Sequence, residues 1–233
     1  MSIWTRIADA LAAIGDSVAP YLQRLSAATA TPPEKSVAFT IGMIALGAKM
    51  AKADGIVLRT EIEAFRRVFH VPEAELPAVA RVFNLAKQDV AGFDSYARQI
   101  ARLFQARSSV LVDVIDGLFH IACADQHLHP AERKFLSDVA TIFGFSAAEF
   151  ETIAARYLTA PDAADPWRIL GLDRSASAAA VKQRYRELVR ENHPDRHIAA
   201  GVPEEMVMLA TERLKDINRA HDRIEAALKD KSK

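Results

Sequence analysis

Apolar positions recur at helical spacing along most of the chain. Ile3, Trp4, Ile7, Leu11, Ile14, Val18, Leu22 and Leu25 predict an amphipathic helix over residues 1–28, bent near Gly15 and Pro20. Thr29 to Pro33 reads as a stiff extended linker. Val37 to Ala51 is nearly uninterrupted in small and apolar residues, at about fifteen residues too short for a comfortable membrane span. Gly42 and Gly47 would let neighbours approach it closely, so it is expected to be the buried central helix of a globular domain. Further helical spacing covers 61–70, 73–89, 93–105, 110–122 and 131–143. Thr60 with Glu63, and Ser146 with Glu149, read as capping boxes, the second opening a helix that ends near Tyr157. Pro130 sits at a favoured first helical position.

Part of this pattern is repeated. Asp54 and Glu61 recur as Asp125 and Glu132, each pair following an apolar helix and leading into a second one. The expected fold class is all-α, with a helical bundle built from two related helical hairpins. Carboxylates on a turn and on the next helix can share a hard divalent cation such as calcium, and His127 and His129 beside the second pair suit a transition metal. Equally, Asp54 and Asp125 can brace their loops while Glu61 and Glu132 sit favourably near a helix N-terminus. Two ligands per copy, without the D-x-D-x-D-G order of a calcium loop, make a thin metal site.

The C-terminal third has a different character. Val181, Tyr185, Leu188 and Asn192 line one helical face, while Lys182, Arg186 and Arg190 form a cationic stripe on a neighbouring one. Pro194 lacks a backbone donor and disfavours the α conformation at His193, so the helix is expected to stop there. A rigid loop would then display the imidazole of His193 and the carboxylate of Asp195, with Arg196 directly after. Side chains two apart around a proline are expected to point apart, and no nucleophile motif lies nearby, so a catalytic pair is disfavoured. The arrangement reads as a docking surface.

Composition narrows the classes. Formal net charge is zero over 233 residues, which implies no global attraction to nucleic acid or anionic membrane. Glu187 and Glu191 also interrupt the basic face, against nucleic-acid binding. Cys123, alone, excludes an internal disulfide, fits a reducing, cytoplasmic setting and is expected in the core. The first helix lacks the layout of a signal peptide, and Arg6, Asp9 and Asp16 break it as a span. Its apolar face is expected against the next domain or against a second copy in a homodimer. A weak membrane-surface anchor with Trp4 at the interface is the competing reading, opposed by the scarcity of Lys and Arg.

The C-terminal blocks resemble a J domain, the DnaK-activating module of DnaJ-type co-chaperones. Asp165-Pro-Trp-Arg-Ile-Leu-Gly-Leu172 is similar to its first helix, the basic helix and His193-Pro194-Asp195 to its second helix and signature, and Thr211 to His221 to its third helix. Trp167 and His221 stand where Tyr is common, both at packing positions. The paired acidic turns resemble the TerB-like (tellurite-resistance B) fold. A TerB-like domain before a J domain, with His197-Ile-Ala-Ala-Gly-Val-Pro-Glu-Glu-Met206 after the tripeptide, resembles the DjlA group of DnaJ-like proteins. The best-known members of that group begin with a transmembrane helix and have a long Gly-rich linker. Neither is found in this sequence, so membrane anchoring is not carried over.

The expected division is 1–33, N-terminal helix and linker; 34–158, TerB-like domain; 159–164, linker; and 165–233, J domain with an antiparallel helical hairpin. The resemblance implies a non-enzymatic co-chaperone that stimulates a DnaK-type ATPase, with an unidentified client or recruiting protein for the helical domain. Lys182, Tyr185, Arg186, Arg190, His193, Pro194, Asp195 and Arg196 would meet the chaperone. No cofactor is expected, a divalent cation at Asp54, Glu61, Asp125 and Glu132 being the exception. The alternative function is a metal-responsive stress module in which those acidic turns do the work.

Overall fold

A computed structural model describes residues 3–14, 18–25, 32–53, 59–89, 92–104, 106, 108–125, 127–158, 165–202 and 207–230. Among them every regular element is helical, so the all-α class holds. At the centre lies α3 (Pro32–Ala53), buried along almost its whole length from Val37 to Ala51. Around it pack α1 (Ile3–Ile14), α2 (Val18–Leu25), α5 (Leu76–Gln88) and α6 (Phe93–Leu103), with α7 (Ser109–Ala122) and α8 (Pro130–Ile142) on another side. The helix α4 (Arg59–Val68) packs on α7, and α9 (Ala147–Leu158) closes against α7 and α8.

Several expectations are refined. Pro32 and Pro33 open α3 instead of ending a linker, because a missing backbone donor costs nothing in a first helical turn. The same reason keeps Pro20 inside the first turn of α2, so the helix is not interrupted at the proline, while Gly15 lies outside the described residues. Thr60 is the second residue of α4 and not a cap ahead of it. The capping box of Ser146 and Glu149 forms, with each residue bonded to the other's backbone N–H at 2.8 and 3.3 Å.

The N-terminal helices belong to the core. Ile3, Trp4, Ile7, Val18 and Leu22 are buried, Trp4 being 1% exposed, and α1 lies on α3 and α5. Trp4 therefore has no free face to offer a bilayer. The α2 N-terminus is capped from far along the chain, since the Asp89 carboxylate accepts from Val18 N–H at 3.1 Å. Tyr96 donates its hydroxyl to the same carboxylate at 2.8 Å, and burial pushes the phenol far above its ordinary range.

The C-terminal unit comprises α10 (Pro166–Leu170), α11 (Ala178–Glu191), α12 (Pro194–Ala199) and α13 (Met208–Asp230). Asp165 caps α10 through Trp167 N–H at 3.1 Å, and Gly171 ends it at a φ of 67°, a left-handed conformation that suits glycine. The hairpin of α11 and α13 closes over Leu170, Val181, Ile217, Ala220 and Ile224. Ser177 accepts from Ala180 N–H at 3.2 Å to start α11. Ser177→Ala is expected to lower stability by about 1 kcal/mol, the worth of an N-cap, in chemical denaturation followed by circular dichroism.

The two units share core. Val202, Val207 and Ala210, from the segment joining α12 to α13 and the start of α13, are buried in the cluster of the helical domain. A methyl group added at Gly117 of α7 would meet Leu209 Cδ1 at 2.9 Å, which shows how closely α13 approaches.

Candidate functional site

The basic helix α11 runs to Glu191, and Asn192 ends it. Lys182, Arg186 and Arg190 are exposed, and none of the three takes part in an ion pair among the described residues. Their stripe is therefore an exposed cationic surface, tempered where Glu187 faces Arg190. Glu187 beside it is held below its ordinary carboxyl value by hydrogen bonds from Gln183 and Arg184. Tyr185 lies on the neighbouring face of α11. Its ring stacks on His221 at 3.9 Å between centroids and its hydroxyl donates to Asn218 Oδ1 at 3.1 Å, so it ties α11 to α13.

Beyond Asn192 the chain does not continue as a loop. Pro194 is the first residue of α12, and His193 is its N-cap, Nδ1 accepting from Asp195 N–H at 3.2 Å. This corrects the expectation that His193 and Asp195 diverge: Nδ1 lies 3.7 Å from Asp195 Oδ2, because the helical turn after proline folds the carboxylate back. Both remain open to solvent, at 52% and 86% side-chain exposure, and Arg196 is exposed beside them. The cation stripe and the tripeptide are thus both exposed, the one on α11 and the other at the turn that follows it.

The opposite side of this turn meets the helical domain, in a region the sequence did not mark. Ser109 donates its hydroxyl to Glu191 O at 2.8 Å, and His197 Nε2 is 3.1 Å from the same hydroxyl. His197 is almost fully buried, its Nδ1 2.6 Å from Asp113 Oδ2, close enough for an ion pair when the ring is protonated. Arg213 of α13 binds Asp113 Oδ1, donates to Ser109 O at 2.9 Å and lies 3.6 Å from Asp116 Oδ2. Arg156 of α9 donates to Asp116 Oδ1 at 2.6 Å. Burial pushes the Asp116 carboxyl up from its ordinary value, and the Arg156 and Arg213 guanidiniums pull it back. Asp113 and Asp116 interrupt the apolar run of α7, a signal that buried partners had to exist.

In the second acidic turn the carboxylates serve their own loop. Asp125 Oδ1 accepts from His127 N–H and Glu132 Oε2 from His129 N–H, both at 2.9 Å, while His129 Nδ1 accepts from Ala131 N–H at 3.2 Å. His129 and Glu132 thus make a capping box on α8. Asp54 lies outside the described residues, as does the side chain of Glu61. Among the described residues no three His, Cys, Asp or Glu side chains are grouped to hold a metal ion. Cys123 ends α7, half-buried against the core, and burial pushes its thiol up to about 11.

Comparison with known proteins assigns both halves of the chain to families. Residues 40–155 match the family model described as tellurite resistance protein TerB, and residues 165–233 match that of the DnaJ domain. A co-chaperone protein DjlA of Photobacterium profundum is 27% identical over 222 residues, covering 84% of this chain and 79% of its own. Those of Coxiella burnetii, at 27% over 75% of this chain and 72% of its own, and Aliivibrio fischeri, at 25% over 84% and 80%, are also similar. No solved structure matches. No helix among the described residues is long and apolar enough to cross a membrane. The chain therefore carries a TerB domain followed by a DnaJ domain, and over most of its length it is similar to the DjlA co-chaperones.

Proposed function

We propose that this protein is a DnaJ-type co-chaperone whose C-terminal domain docks on a DnaK-type chaperone and stimulates its ATP hydrolysis. The observation that carries the reading is the exposed His193–Asp195 turn following a helix whose Lys182, Arg186 and Arg190 are exposed and form no ion pair among the described residues. Lys182, Arg186, Arg190 and Arg196 would steer and hold an acidic face of the chaperone. ATP would bind the chaperone, and this chain would do its work by docking, without covalent chemistry. The TerB domain would recruit or sense a further protein, and the place of action would be the cytoplasm, where the lone Cys123 suits a reducing environment.

Single-turnover ATP hydrolysis by the DnaK-type partner tests this. The wild-type chain should accelerate hydrolysis, more strongly at low salt. The double charge reversal Lys182→Glu, Arg186→Glu should raise the concentration for half-maximal stimulation by about tenfold, since opposed like charges both slow encounter and weaken the complex. Equal stimulation by wild type and variant at low salt would overturn the docking surface named here.

A further inference from the structure

We infer that the helical domain braces the His193–Asp195 turn from behind, and that this brace sets the turn's orientation toward the chaperone. The inference rests on the co-chaperone reading above. One hydroxyl, Ser109 of α7, meets the chain on both sides of the turn: it donates to Glu191 O, two residues before His193, and it touches His197 Nε2, two residues after Asp195. Asp113, one helical turn further along α7, contacts the other ring nitrogen of His197. The backbone carbonyl of Ser109 accepts from Arg213, so α13 is tied down at the same point.

The burial pattern separates the two faces of the turn. Asn192 and His197 are buried, while His193 and Asp195 between them point to solvent. Within the C-terminal unit the turn is held by Asn192, which donates to Leu188 O at 2.6 Å, and by contacts of α12 with α13. α12 has six residues, too few to be stable as an isolated helix. Val202 and Val207, which follow it, are buried in the core of the helical domain and not in that of the α11–α13 hairpin. A second bond, from Ser36 Oγ of α3 to Gly201 O at 2.7 Å, holds the exit of α12 to the same domain. Ser109 is thus a positioning residue: it acts through Glu191 and His197 and leaves the outward side chains free to meet the partner.

The test compares the full-length wild type with Ser109→Ala and with Ser109→Thr, which keeps the hydroxyl. Two quantities are read: amide hydrogen exchange across residues 192–202 with no partner present, and the concentration for half-maximal stimulation of the partner's ATP hydrolysis. Ser109→Ala should speed exchange in that segment by about fivefold to tenfold, the worth of one net hydrogen bond in a local opening, with exchange in α5 and α8 unchanged. It should raise the half-maximal concentration by about fivefold, and Ser109→Thr should restore both values. Unchanged exchange in the Ala variant overturns the brace. Faster exchange with unaltered stimulation overturns its role in orientation, and a Thr variant as impaired as the Ala variant shows that the hydroxyl is not what holds the turn. A folded wild type that gives no stimulation overturns the co-chaperone reading and the orientation role with it, while the exchange data still decide on the brace.

Discussion

His193→Gln is expected to remove stimulation of the DnaK-type ATPase entirely while leaving the protein folded. The structural side of this expectation follows from how little the imidazole does internally. It is half exposed, and its one hydrogen bond among the described residues is the acceptance by Nδ1 of Asp195 N–H at 3.2 Å. Losing that cap should cost at most about 1 kcal/mol, small against the 5–15 kcal/mol of a typical folded domain. α12 would keep its other supports, the contacts of His197 and the bond from Ser36 to Gly201. The functional side follows from the proposed docking surface, in which the exposed ring would meet the partner that the cationic stripe holds. Single-turnover hydrolysis with circular dichroism on the same samples decides it. Retained stimulation by the variant would overturn the assignment of this turn, and lost helicity would mean that the ring has a structural duty not seen in its contacts.

Arg213→Met should be the most destabilising change in the interface, by about 3–5 kcal/mol, because it takes from the buried Asp113 the guanidinium bound to it and from Asp116 one of its two. The guanidinium binds Asp113, approaches Asp116 and donates to Ser109 O, and all three groups lie on α7. Without it, Asp113 retains His197 and the more distant charge of Arg156, and Asp116 retains Arg156 and the hydroxyl of Tyr157. The sign of the pH dependence is fixed by the same geometry. Burial already pushes Asp116 up, and removal of Arg213 takes away one of the charges that pull it down. A carboxyl whose folded-state value lies above its unfolded value binds more protons when folded, so stability falls as pH rises through that window. The deficit of Arg213→Met relative to wild type should therefore be full at neutral pH and shrink on acidification toward the carboxylate range. Urea denaturation at neutral and mildly acidic pH measures both. A loss below about 1 kcal/mol would place the interface in the class of weak surface pairs.

Much of this protein is legible locally. The helices show in the sequence because burial of one face imposes a period of 3.6 residues, as with Val181, Tyr185 and Leu188. Caps show because donor and acceptor lie within four residues, as with Ser146 and Glu149. The cationic stripe and the tripeptide show because exposed charge at fixed spacing needs no partner elsewhere in the chain. Where local reading failed, a competing local rule was at work. Pro32 and Pro33 look like a linker but are equally suited to a first helical turn, and the fold of His193 onto Asp195 comes from Pro194 starting a helix as well as stopping one.

Only the tertiary structure decided which distant groups meet. Asp89 caps α2 across the sequence, and Ser109 and Asp113 meet His197 and Arg213, because packing brings α7 against α12 and α13. Such pairs have no periodic trace: a buried carboxylate in the sequence shows that it needs a partner and not which one. So the sequence by itself determined the helices, the order of the two domains and the exposed face of cations and tripeptide. The tertiary structure decided that the turn on that face is held by the other domain, since the energy of a buried ion pair depends on separation in space and not along the chain.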